Sequence, residues 1–159
     1  MRHARWTCRV VASIALIGSV AALAPVQSWG QALSPWALAA SSPSTTPVLP
    51  LRWNERLAAV ARAHSLDMMN QGYFAHQDPQ GRSVATRVEA AGMAWQAVGE
   101  NIAVYDSVHG AQTAFMNEPR FAKNHRANIL SSDFTEVGIG IVQAPDGSLF
   151  ITQDFYTGR

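Results

Sequence analysis

The chain has 159 residues, with 12 Lys or Arg against 11 Asp or Glu, a formal net charge of +1, and 48% hydrophobic residues. That length suits one domain plus an appendage, and with no basic stripe or block a nucleic-acid partner is unsupported. One cysteine, Cys8, cannot build an internal disulfide framework, so the core alone must hold the fold.

Arg2, Arg5 and Arg9 precede an uncharged, mostly apolar run from Val10 to Ala24. The run is short for a membrane span, which needs about 20 residues, and has the organisation of a secretory signal. Residues 1–30 therefore read as a signal peptide, with Ser28-x-Gly30 or Gly30-x-Ala32 as small-residue processing sites. An uncleaved anchor is the alternative. Cys8 lies before the apolar run and not after it, which argues against a lipoprotein. Removing 1–30 leaves nine basic and eleven acidic residues, a charge of −2, and no cysteine. The mature chain is expected to be secreted, extracellular or periplasmic, with no stable membrane span. Residues 31–50 are rich in Ser, Thr, Pro and Ala without a sustained period, the composition of a disordered linker. The folded domain is expected over 51–159.

Trp53, Leu57, Val60, Ala61, His64 and Met68 recur at steps of three and four, which predicts an amphipathic helix over 52–71 with Gly72 as its stop. Tyr73-Phe74 lead directly into His76, and Asp78-Pro79-Gln80-Gly81 has turn chemistry. Ser83 can cap a helix through Ala91 that Gly92 ends, and Met93 to Val98 reads as extended. Ser107 caps a third helix ending at Pro119, and Asn124 a short turn through Leu130. Val137, Ile139 and Ile141 alternate with smaller residues, and the Ala144–Ser148 turn pairs this strand with Leu149 to Phe155. Gly138 and Gly140 would let a helix approach the sheet closely. Helices first and a hairpin last give an α+β fold: a small antiparallel sheet covered by helices.

The chemistry concentrates around Glu118-Pro119 and His125. Seven residues on an unbroken helix span roughly 10 Å, too far for contact, but Pro119 forces a bend that can bring the two side chains together. A second histidine and carboxylate, His76 and Glu100, lie upstream. These four residues are expected to line one cleft. His64 reads as a core histidine and His109 as surface. Tyr73, Phe74, Phe115 and Phe121 read as core that can also wall an apolar ligand. No Gly-x-Ser-x-Gly elbow is present, so nucleophilic hydrolysis has little support.

Taken together, Ala63–Met68, Phe74-Ala75-His76, Arg87–Gly92, Gly99-Glu100-Asn101-Ile102-Ala103, Asn124–Leu130, Val137-Gly138-Ile139-Gly140 and Thr152-Gln153-x-Phe155 resemble the CAP superfamily, the SCP or PR-1-like domains, in its bacterial secreted form. The resemblance covers about Leu51 to Tyr156 and rests on the order and spacing of the motifs. It implies an α-β-α sandwich with a cleft of two histidines and two acidic residues. His76 and His125 match the histidines, Glu100 the Gly-Glu-Asn glutamate and Glu118 the second glutamate. The Pro119–Asn124 connection departs from the common short form, and the cysteines of the eukaryotic branch are absent. Three roles stand open for the four residues: a hydrogen-bonded brace, a ligand or metal contact, or catalysis. His76 and His125 suit a divalent cation such as Zn²⁺, with Glu100 or Glu118 as a third ligand. The first functional expectation is a non-catalytic domain binding a lipid, another small apolar ligand or an envelope protein partner. The alternative is a metal-dependent hydrolase acting on peptide or envelope material.

Overall fold

The computed structural model describes residues 9–11, 48–119 and 123–159. Most of the expected signal (1–30) and linker (31–50), and Phe121, lie outside the described residues. One sheet runs in the order β1 (Arg9–Val11), β3 (Trp95–Tyr105), β5 (Leu149–Gly158), β4 (Glu136–Gln143) and β2 (Arg52–Trp53). Strands β3, β5 and β4 are antiparallel neighbours, and β1 pairs antiparallel to β3 with Arg9 opposite Val104. Strand β2 runs parallel to β4, so the sheet is mixed and not purely antiparallel. The α+β class holds.

Helix α1 (Glu55–Gln71) starts three residues later than the apolar spacing predicts. Asn54 is its cap, accepting from the Leu57 N–H, and Arg52–Trp53 are taken into the sheet instead. Gly72 ends the helix in the left-handed conformation, φ 70°. The helix buries Leu57, Ala58, Ala61, His64, Ser65 and Met68, whereas Trp53, counted in the same stripe, is 53% exposed. Helix α2 (Val84–Ala90) follows the Asp78–Gly81 turn. Helix α3 (Val108–Met116) is capped by Ser107 and stops before Pro119, and α4 (His125–Ile129) is capped by Asn124.

Strand alternation assigns the layers. On one face Ile102, Val104 and Phe150 pack with Met68 of α1, and Tyr156 packs with Leu57 and Val88. On the other, Ala103 and Ile151 pack with Ala111 and Phe115 of α3. Fully burying each of the larger side chains stabilises the fold by about 1.5–3 kcal/mol, before the entropy of ordering is counted. Strand β3 runs past Val98, where the sequence suggested an end, because its polar residues Glu100 and Asn101 are buried on opposite faces of a central strand. Among the described residues no helix is long and apolar enough to cross a membrane.

Candidate functional site

Glu100 sits in the middle of β3 with only 1% of its surface exposed. A carboxylate there needs partners, and three elements supply them. His76, on the loop after α1, meets Glu100 Oε1 through Nδ1 at 2.8 Å. Arg87 of α2 donates through Nη2 to Glu100 Oε2. Its Nη1 donates to the carbonyls of His76 and Arg82 at 3.1 and 2.9 Å, which ties the loop to the same cluster. His64 of α1 stands 3.7 Å from Glu100 Oε2 and donates from Nε2 to the Ala75 carbonyl at 3.1 Å. Burial lowers the His64 pKa against the pull of Glu100, so this imidazole is kept neutral. Tyr73 donates to Asp67 at 2.7 Å, and burial together with that bond raises its pKa.

The strand pairing places Asp154 directly opposite Glu100. Asp154 is fully buried, and neither of its oxygens has a hydrogen-bond partner among the described residues. Burial, reinforced by the Glu100 charge, raises its pKa well above the carboxylate range, against Arg87, which lowers it. A proton on Asp154 is how the pair avoids two adjacent negative charges. The consequence for stability follows from linkage. Asp154 binds a proton in the folded state that the unfolded chain has released, so its contribution is full below about pH 3.9 and is lost as pH rises toward the folded pKa. His64 acts oppositely, contributing above about pH 6.5 and losing that contribution as pH falls. Asp154→Asn removes the first effect and leaves the second. The stability of the variant relative to wild type should therefore climb with pH, by up to about 1.4 kcal/mol per unit. Urea unfolding of both proteins at pH 5, 6, 7 and 8 measures it, and a constant difference would contradict the protonated Asp154.

The second pair forms where Pro119 bends the chain. Glu118 Oε1 meets His125 Nδ1 at 2.6 Å, and Oε2 accepts the His125 backbone N–H at 2.9 Å. Asn124 completes the bend, accepting from Ala127 N–H at 3.0 Å and donating to the Pro119 carbonyl at 3.0 Å. The His125 ring stacks on Phe115, centroids 4.7 Å apart and planes 22° apart. His125 is completely buried, and its Nε2 has no hydrogen-bond partner among the described residues. With Nδ1 donating to Glu118, a neutral ring presents a lone pair at that orphaned Nε2.

The four expected residues thus come together as two pairs, reaching β3 from opposite faces at the adjacent residues Glu100 and Asn101. An amide network links the two sides. Asn101 donates to the His125 carbonyl at 3.1 Å and to Gln153 at 3.0 Å, while Asn128 donates to Asn101 at 2.8 Å and to the Glu100 carbonyl at 3.3 Å. Among the described residues no three His, Cys, Asp or Glu side chains converge on a point that could hold a metal ion. Both glutamates already orient their histidines through Nδ1, the usual supporting contact of a ligating imidazole. A cation would therefore meet imidazole nitrogen, and not a three-ligand centre built with Glu100 or Glu118. His109 is exposed as expected, and His64 is buried but belongs to the Glu100 cluster. Arg87 and Asp154 were missed by the sequence reading. An Asp between inward-facing Thr152 and Tyr156 was the available signal for Asp154.

Residues 22–155 match the sequence profile of the Cysteine-rich secretory protein family, CAP. Among curated proteins, the chain is 37% identical over 107 residues to the uncharacterized protein YkwD of Bacillus subtilis, covering 67% of this chain and 39% of that protein. It is also 37% identical over 93 residues to the uncharacterized membrane protein YlbC of Bacillus subtilis, covering 57% of this chain and 25% of the other. The chain therefore spans well under half of either relative. An extracellular protein of Bacillus anthracis that contains an SCP domain superposes with a TM-score of 0.60 at 31% identity, over 69% of this chain and 34% of that one. An outer surface protein of Borrelia burgdorferi shares the fold with a TM-score of 0.63 at 15% identity, over 70% of this chain and 80% of that one. The family profile, the motif order and the fold agree: this chain belongs to the CAP family, with a domain of the SCP type.

Proposed function

We propose that this is an exported, non-catalytic CAP domain that binds a small ligand at its His/Glu site, with His125 Nε2 as the atom that meets it. The observation that carries the reading is this fully buried nitrogen, without a partner among the described residues, on a ring already fixed by Glu118 and Phe115. A buried polar atom left unpaired costs about 1–3 kcal/mol, and a ligand group that fills the position removes that cost. The lone pair suits an O–H or N–H of a small, largely apolar molecule or lipid, or a divalent cation such as Zn²⁺ held at this imidazole. Export is supported by the basic and apolar start of the chain and by the extracellular and outer-surface relatives. Binding is favoured over metal-assisted hydrolysis because Glu100 and Glu118 are both engaged by histidines, leaving neither free as a general base.

Zn²⁺ calorimetry and displacement of a fluorescent fatty acid test the reading on wild type and His125→Gln. The variant keeps similar size but lacks the imidazole. Its affinity for whichever probe binds should fall by about tenfold or more, with its circular dichroism spectrum unchanged. Equal binding by both proteins, or no binding of either probe to wild type, would overturn the proposal. Protease activity on casein or lysis of peptidoglycan that disappears with His125→Gln would establish the hydrolase instead.

A further inference from the structure

A cleft lies by the N-terminus of α1 and the start of β4, about 700 Å³ in volume and lined in part by Arg52, Trp53, Arg56, Met93, Glu136 and Tyr156. None of the residues lining it is His76, Glu100, Glu118 or His125. Its volume falls within the roughly 300–1,000 Å³ of small-molecule sites. The feature that sets its chemistry is Trp53. The side chain is 53% exposed, yet it is held, because Nε1 donates to Glu55 Oε1 at 2.8 Å. The polar edge of the indole is thus satisfied by a neighbouring side chain at the surface, and what remains for a ligand is the apolar ring surface.

The surrounding charges are arranged in compensated sets. Glu136 takes Arg52 Nη2 on one oxygen at 2.7 Å and Asn54 Nδ2 on the other at 2.5 Å. Glu55 is engaged by Trp53, and Arg56 adds one further positive charge, so two arginines face two glutamates. At the opposite wall the Tyr156 hydroxyl is committed to the Ala94 carbonyl at 2.6 Å. A phosphate or other anion would find no excess positive charge here. The α1 N-terminus does not supply one, since Asn54 already accepts from Leu57 N–H and Glu55 occupies the first turn. The ligand that fits is uncharged, with a flat apolar face for the indole and a polar rim for the arginine N–H groups and the carboxylate oxygens. A pyranose ring has that shape, with C–H bonds across its face and hydroxyls around its edge.

We infer that the Trp53 cleft is a binding site for a neutral oligosaccharide, separate from the His/Glu site. The probes are chitotetraose and cellotetraose, with inorganic phosphate as the anionic control. Each is titrated into ¹⁵N-labelled protein while the tryptophan indole N–H resonances are followed. The Trp53 resonance is identified by its loss in Trp53→Ala. At least one tetrasaccharide should shift that resonance, and phosphate should not. By calorimetry Trp53→Ala should weaken sugar binding roughly tenfold, as loss of an aromatic anchor does, and Trp53→Phe should recover part of it. His125→Gln should bind the sugar as wild type does, which separates this site from the one proposed above. The inference is overturned if neither sugar shifts the resonance, if Trp53→Ala binds as tightly as wild type, or if phosphate alone shifts it.

Discussion

Glu100→Ala is expected to lower the unfolding free energy by about 3–5 kcal/mol, the range found when one member of a buried ion pair is removed. The carboxylate it deletes receives Arg87 and His76 and stands beside His64. The Arg87 side chain is only 10% exposed, so its charge would lose its partner with little water to replace it. The loop carrying His76 would loosen as well, because Arg87 also holds the His76 and Arg82 carbonyls. Glu100→Gln should cost less, for a reason specific to this site. Burial still favours a protonated Asp154, but with the Glu100 charge gone the repulsion that reinforced it is removed, and Asp154 ionises more readily against Arg87. Adding Asp154→Asn to Glu100→Gln should restore the larger loss, giving a coupling energy of about 1 kcal/mol or more in the double-mutant cycle. Urea denaturation of the four proteins measures it. A loss below about 1 kcal/mol for Glu100→Ala would show that the pair does not hold the cluster together.

What the sequence disclosed divides along the range of the interactions involved. The caps at Ser107 and Asn124 and the stop at Gly72 were legible because each depends on a few neighbouring residues. The terminal hairpin was legible for the same reason, since its strands are joined by a short turn. Glu118 and His125 could be paired in advance because Pro119 makes the bend a local necessity. Arg52 and Trp53 were misread as helix because their apolar spacing continues that of α1. Their actual pairing, with Glu136 and Val137, is remote in the chain. The length of β3 was hidden because two buried polar residues interrupt its apolar run, and each is satisfied by other elements.

The site shows the same division. His76, Glu100, Glu118 and His125 stand out by residue type and by their motifs. Asp154 and Arg87 became part of the site only once β3–β5 register and α2 placement put them beside Glu100. His64 belongs to both descriptions. It lies on the buried face of α1 as a core residue would, and it also donates to the loop that carries His76. Periodicity reports burial but not what a buried imidazole faces. That information resides in contacts between residues far apart in the chain.

Gly140→Ala is the second large effect, expected to destabilise by about 3 kcal/mol. A Cβ built on Gly140 would lie 2.1 Å from the Arg62 backbone nitrogen and 2.3 Å from the Ala61 carbonyl carbon. The atoms in the way are helix backbone, so no rotamer change relieves the contact and α1 must move off the sheet. The helix is pinned there. Ser65 donates to the Gly140 carbonyl at 3.1 Å, and Arg62 donates to the Ile141 carbonyl at 2.8 Å. Displacing α1 also shifts His64 relative to Glu100 and Asp154, which lie on strands and would not follow it. Gly99→Ala is the internal comparison. There the nearest atom is Phe134 Cζ at 2.7 Å, the far end of a side chain that can tilt, so the cost should be about 1 kcal/mol. Urea midpoints at one pH give both values. If Gly140→Ala unfolds at the wild-type midpoint, or if Gly99→Ala proves the more damaging, then close helix approach is not what Gly140 provides.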